Sequence, residues 1–135
     1  STKVATAAAP SRQPVPAWAG LNVLLVEDNA PVRAFARSLL EDMRGTVTEA
    51  RTAEEALELV GKASYDLIFS DIVMPGMSGL QLARQLRRTM PEQRVLLATG
   101  YSKELIETEG SLFAILQKPY GMASLTAAIS SVMGR

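Results

Sequence analysis

Neither cysteine nor histidine occurs in this 135-residue sequence. Without cysteine there is no disulfide, no thiolate metal site and no cysteine nucleophile. Without histidine, a Ser-His-Asp triad, a histidine zinc site and a phosphohistidine within the chain are excluded. Excess charge is missing as well: 14 Lys and Arg balance 14 Asp and Glu, which gives no electrostatic case for nucleic acid or an anionic membrane. No apolar run comes near the roughly 20 residues that cross a bilayer. The opening STKVATAAAPSRQPVPAWAG lacks the continuous apolar centre of a signal peptide. Chemistry must therefore come from carboxylates, hydroxyls, lysines or main chain, and the expected location is the cytoplasm.

What is present fits one ordinary globular domain, 47% hydrophobic and 21% charged. Residues 1–19 read as a flexible Ala/Pro-rich tail or linker, and residues 20–135 as the domain. The first residue is Ser rather than Met, so a processed chain or a piece of a longer one is expected.

After the tail, short apolar runs alternate with helical patterns. LNVLLV (21–26) is short and rich in β-formers, a buried strand. Val32, Phe35, Ala36, Leu39, Leu40 and Met43 recur at three- and four-residue steps, the apolar face of a helix, with Asn29 as its N-cap and Pro31 in its first turn. TVTEA (46–50) is a second strand. Thr52 and Glu55 fit a capping box that opens a helix to about Lys62. DLIFS (66–70) is the third strand, followed by a helix from Gly79 to about Met90. RVLLAT (94–99) is the fourth strand, with a short or irregular fourth helix expected over 102–109. FAILQ (113–117) is the fifth strand. Met122, Leu125, Ile129, Val132 and Met133 mark a last helix. The alternation predicts an α/β fold, a doubly wound five-stranded parallel sheet with helices on both faces. Spacing alone does not fix the strand order; the flavodoxin-like order 2-1-3-4-5 is the one adopted here.

Polar residues cluster where such a sheet binds ligands, at the carboxyl ends of its strands. Glu27 and Asp28 end the first strand, Asp71 the third, Thr99 the fourth and Lys118 the fifth. In the 2-1-3-4-5 order the first and third strands are neighbours, so Glu27, Asp28 and Asp71 should converge. Three close carboxylates require protonation or a cation. With no nitrogen or sulfur ligand at hand, Mg²⁺ suits the oxygens best. Carboxylates, Mg²⁺, a lysine and a hydroxyl make a phosphoryl-transfer set, with Asp71 as the nucleophile that would carry an aspartyl phosphate.

With VLLVEDN at the first strand, DIVMPGMSG after the third, LLATGYS at the fourth and LQKPY at the fifth, the sequence resembles the receiver domain of two-component response regulators across residues 21–133. The resemblance implies that Asp71 is the phospho-acceptor. It implies that Asp28, Asp71 and the main-chain carbonyl of Val73 ligate Mg²⁺, with Glu27 acting mostly through water. Thr99 would be the switch hydroxyl, Lys118 the lysine that pairs first with Asp71 and later with phosphate, and Lys118–Pro119 a cis peptide. The phosphodonor would be a histidine kinase or histidine phosphotransfer protein, since this chain has no histidine. Phosphorylation adds roughly −1.5 to −2 charge units at pH 7, enough to draw Thr99 inward and alter the partner-binding surface of a two-component phosphorelay.

Two departures stand out. The position three residues before the lysine, often Tyr or Phe in the family, is Ile115. Phe113 lies two residues away, on the same face by strand alternation. Tyr101 stands where it either shields the acyl phosphate or is simply exposed. With only two residues after Met133, output is expected through protein contact, as a stand-alone regulator or as the receiver module of a hybrid sensor histidine kinase. Two other functions suit these residues less well. A small Mg²⁺-dependent aspartyl-phosphate phosphatase lacks its second acid, since Val73 occupies that position. The full acidic set argues against a degenerate receiver that only binds partners.

Overall fold

The structure is a computed structural model in which residues 18–100 and 113–134 are described. The elements run β1 (Asn22–Val26), α1 (Ala30–Asp42), β2 (Thr46–Ala50), α2 (Ala53–Val60), β3 (Leu67–Asp71), α3 (Gly79–Thr89), β4 (Val95–Thr99), β5 (Ala114–Gln117) and α4 (Met122–Met133). The five strands pair in parallel, as the alternation predicted, in the order β2-β1-β3-β4-β5, the flavodoxin-like order adopted above. The short fourth helix expected over 102–109 lies outside the described residues.

Strand alternation divides the core between the two sheet faces. Val23, Leu25, Leu67, Phe69, Leu96 and Ala98 point to one face, where Ala36 and Leu40 of α1 and Leu125 and Ile129 of α4 cover them. Leu24, Val26 and Ile68 point to the other, under Ala53 and Ala56 of α2 and Leu82 and Leu86 of α3. Each fully buried Leu, Ile or Phe contributes about 1.5–3 kcal/mol of transfer free energy. A one-residue slip of any central strand would exchange its two faces, so this packing fixes the register that positions the strand ends.

Local signals set the helix starts. The Asn29 side chain accepts from the Val32 amide at 3.0 Å, capping α1 as expected. Thr52 caps α2 by accepting from the Glu55 amide at 3.0 Å, but the Glu55 carboxylate takes the amide of Arg51 instead of closing the expected box on Thr52. The reciprocal capping box belongs to α3: Gln81 N–H donates to Ser78 Oγ at 3.1 Å, and Ser78 N–H donates to Gln81 Oε1 at 2.8 Å.

Two further sequence expectations need correction. Trp18, placed in the tail, is 4% exposed and packs in the α1/α4 layer of the core. A turn holds it there: Leu21 N–H donates to the Trp18 carbonyl, and Gly20 N–H to that of Arg44. Phe35, placed on the buried face of α1, is 47% exposed. Ala36 and Leu40 point straight into the sheet, leaving Phe35 at the rim against Tyr120, with ring centroids 5.9 Å apart.

Gly79 ties α3 to the strand that carries Asp71. Its amide donates to the Ile72 carbonyl at 2.8 Å. A Cβ there would stand 2.1 Å from the Asp71 carbonyl oxygen and 2.9 Å from the Ile72 Cα. Both obstacles are backbone, so no rotamer change can relieve them. Gly79→Ala is therefore expected to destabilise the fold by about 3 kcal/mol, measured by urea unfolding.

Candidate functional site

Each strand of the site delivers its polar residue at the point where the ladder ends. β3 is buried along its whole length and terminates at Asp71, which is 8% exposed. β1 is followed by Glu27, 5% exposed, and by exposed Asp28. Because β1 and β3 are paired neighbours, one carboxylate oxygen from each of Glu27, Asp28 and Asp71 lies within 4.8 Å of the others. These three acids could hold a metal ion. Lys118, just past β5, reaches across with its ammonium 2.7 Å from Asp71 Oδ1 and 3.5 Å from Glu27 Oε1. Its amide donates to the Thr99 carbonyl at 2.8 Å, so main chain joins the lysine to buried Thr99.

An open cleft of about 270 Å³ is lined by Asp71, Val73, Gly100 and Lys118. The loop beyond β3 turns sharply at Gly76, whose φ of +75° is in the left-handed region. It is pinned from α2 by the Glu54 carboxylate, which accepts from the Met77 amide at 3.3 Å. The Lys118–Pro119 peptide is cis, as the resemblance implied.

Electrostatics follow from burial and crowding. Desolvation raises the pKa of the Asp71 carboxyl, and the Asp28 charge pushes the same way. Lys118 and the Val73 amide oppose the rise without cancelling it. Desolvation and then the Asp71 charge raise Glu27. Burial works to lower the Lys118 pKa, but its hydrogen bond and charge attraction to Asp71, followed by those to Glu27, leave it raised. The Tyr120 hydroxyl is pushed up to about 12 by desolvation, then by the charges of Glu27 and Asp71.

All six residues expected at the site thus meet at one end of the sheet, with Asp71, Glu27, Asp28 and Lys118 in direct array. Tyr101 lies outside the described residues. Ile115 and Phe113 pack on the same face, beside Ile72, Ala83 and Leu97, as alternation required. Reading the sequence alone missed two contributors. Tyr120 sets its ring edge-on to Phe69 at 5.7 Å and forms, with Val32, Phe35, Gly100, Lys118 and Pro119, an open apolar groove of about 480 Å³ beside the lysine. Arg33, 9% exposed, donates to the Glu27 carbonyl at 2.8 Å. The only sequence signal for Tyr120 was its place after Lys118–Pro119. Arg33 gave none, because an arginine on a helix ordinarily faces water.

Residues 23–130 match the response regulator receiver domain. The chain belongs to that family. It is 37% identical over 121 residues to the aerobic respiration control sensor protein ArcB of Escherichia coli, a match spanning 86% of this chain and 15% of that protein. Among solved structures, chemotaxis protein CheY4 of Vibrio cholerae superposes with a TM-score of 0.78 at 28% identity, covering 84% of this chain and 99% of that one. Response regulator TrrA of Thermotoga maritima, in complex with Mg²⁺-BeF, superposes with a TM-score of 0.76 at 26% identity, covering 83% and 98%.

The chain is therefore a phosphoryl-accepting signalling receiver domain, and neither the phosphatase nor the degenerate alternative is favoured. Among the described residues, no helix is long and apolar enough to cross a membrane.

The raised carboxyl values in this receiver have a stability consequence with a definite sign. A carboxyl with a raised folded-state pKa contributes most below its ordinary value, and that contribution is lost as pH rises through the raised one. Ionised Asp71 therefore costs stability at pH 7, even with Lys118 beside it. Asp71→Asn is expected to raise the thermal midpoint at pH 7 in Mg²⁺-free buffer, by about 4 °C for each ~1 kcal/mol in a domain of this size. The difference from wild type should shrink as pH falls from 7 through the raised value to about 4, and stay constant below that. A midpoint gap that does not vary with pH would contradict this assignment of the cost.

Proposed function

We propose that Asp71 is the phospho-acceptor, with Mg²⁺ held by Asp28, Asp71 and the Val73 main-chain carbonyl and, through water, by Glu27. The observation that carries this reading is the convergence of three carboxylates within 4.8 Å around one lysine. The donor set is all oxygen, which suits a hard cation. When bound, the cation supplies positive charge that offsets the clustered carboxylates and the phosphoryl oxygens.

The chain's own residues do the rest. β3 and the Lys118 contact hold an Asp71 oxygen toward the open cleft. That oxygen forms the new P–O bond as the donor's P–N bond breaks, and the imidazole nitrogen keeps the electron pair and takes up a proton. Lys118 then moves from the carboxylate to the phosphoryl group it has just gained. Thr99 turns its hydroxyl toward the same group, and the added charge biases the sheet's far face toward a second arrangement. With Ile115 in place of an aromatic, that rearrangement proceeds without a ring swinging inward.

The donor is the phosphohistidine of a histidine kinase or phosphotransfer protein, docking on the groove between α1 and the β5–α4 loop. Half-exposed Phe35 and the ring of Tyr120 give that groove an apolar floor beside Lys118. The chain spans 15% of the length of ArcB, and a role as the receiver module of a larger sensor kinase fits that share.

Intact mass after incubation with Mg²⁺ and acetyl phosphate tests the chemistry. One added phosphoryl group is expected in wild type, none without Mg²⁺ and none in Asp71→Ala. Release of inorganic phosphate with no mass change would instead mean turnover as a phosphatase. The donor surface has its own check: Phe35→Ser should slow transfer from a phosphorylated phosphotransfer protein about tenfold, while labelling by acetyl phosphate stays within twofold of wild type.

A further inference from the structure

We infer that Arg33 is a positioning residue for the acidic cluster, fixing the peptide between Glu27 and Asp28 and so the direction from which these two acids meet Asp71. The inference rests on the reading of that cluster as the Mg²⁺ and phosphoryl site.

Where β1 ends, its main chain leaves the ladder but stays buried, and buried polar main-chain groups need partners. The Glu27 amide finds the Ala50 carbonyl at 3.0 Å. Among the described residues no main-chain N–H donates to the Glu27 carbonyl, and Arg33 supplies the donor, Nη1 at 2.8 Å. Both sides of Glu27 are thus held from outside its own strand. The following residues are held as well. The Asn29 amide donates to Glu27 Oε2 at 3.2 Å, and the Asn29 side chain caps α1. Asp28 sits inside this frame, with restrained peptides before and after it.

Arg33 is itself braced. Its Nε donates to Glu49 Oε1 at 3.2 Å. The other Glu49 oxygen accepts from Arg37 Nη1 at 2.9 Å, and Arg37 Nε donates to Glu41 Oε2 at 2.9 Å. A chain of charge-assisted hydrogen bonds therefore runs from the α1 surface through β2 to the Glu27 carbonyl. Two nitrogens of one planar guanidinium serve Glu27 and Glu49 together. A lysine, with one nitrogen on a flexible stem, cannot reproduce that fork. Arg33 touches no reacting atom; it acts through the main chain that carries two of the acids.

Mg²⁺ affinity by titration calorimetry, read beside the thermal midpoint in Mg²⁺-free buffer, tests the inference. Groups that support metal ligands from behind typically change affinity 10- to 100-fold when removed. Arg33→Lys is expected to weaken Mg²⁺ binding about tenfold. Arg33→Met should do the same if it folds, but the lysine variant suffices for the test. Glu49→Gln takes away the brace's charge and one of its two acceptor oxygens, which lowers the midpoint while leaving the Glu27 contact, so its Mg²⁺ affinity should stay within about twofold of wild type.

Wild-type affinity in Arg33→Lys would overturn the inference. So would an equal loss in Glu49→Gln, because affinity would then follow stability rather than the Glu27 contact. Mg²⁺ binding by wild type separates the two readings. If wild type binds and Arg33→Lys binds equally, only the Arg33 assignment falls. If wild type binds no Mg²⁺, the metal reading and the Arg33 assignment fall together.

Discussion

Mutual repulsion among Glu27, Asp28 and Asp71 is the constraint around which this domain is arranged. Their oxygens lie within 4.8 Å of one another, a separation at which two unit charges repel by roughly 3 kcal/mol in a medium of effective dielectric ~20. Left to relax, such side chains would turn away into water. Two of them cannot, because they extend from strand ends buried in the sheet. Lys118 offsets part of the repulsion from the third side and is held near Asp71 and Glu27 by the same fields. The cluster is a concentration of negative charge that could hold a metal ion, which suits a receiver domain.

Holding acids in this way demands a rigid frame. The two apolar layers give the sheet its register, and the register places β1 beside β3. Close contacts then fix the loops that leave the strands. Gly79 lets α3 start against the Asp71 and Ile72 main chain. Glu54 pins the turn that carries Val73. Arg33 takes the carbonyl that β1 leaves unpaired. Each is a device for fixing backbone at a strand end, where the ladder no longer does so.

The two sheet faces also differ in what they offer a partner. On the α1/α4 side, Phe35, Phe69 and Tyr120 form an aromatic chain from rim to core, opening beside Lys118. On the α3 side, Ile115 and Phe113 share a face, and the Arg87 guanidinium lies 5.6 Å from the centre of the Phe113 ring. Aromatic surface is thus concentrated near the site on one face and near the strand starts on the other.

How much of this was legible without coordinates depends on the range of the interaction. Element order, the parallel sheet and the strand ends could be read directly, because alternating apolar runs and N-caps such as Asn29 are local and periodic. The acids, Thr99 and Lys118 could be read because their residue types are unusual at strand ends and complementary in charge. What only tertiary structure decided depends on backbone meeting backbone across distant segments. Trp18 belongs to the core because a turn returns it to the start of β1. Phe35 is at the rim because Ala36 and Leu40 already fill the contact with the sheet. Arg33 turns inward to donate to a carbonyl six residues earlier, which no main-chain N–H among the described residues reaches. Gly79 must be glycine because Asp71 and Ile72 pass too close for a Cβ. The sequence by itself determined which chemistry this chain can carry, since composition and spacing limit the available groups; the tertiary structure decided which residues hold that chemistry in place, since only packing shows which main-chain groups are left needing a partner.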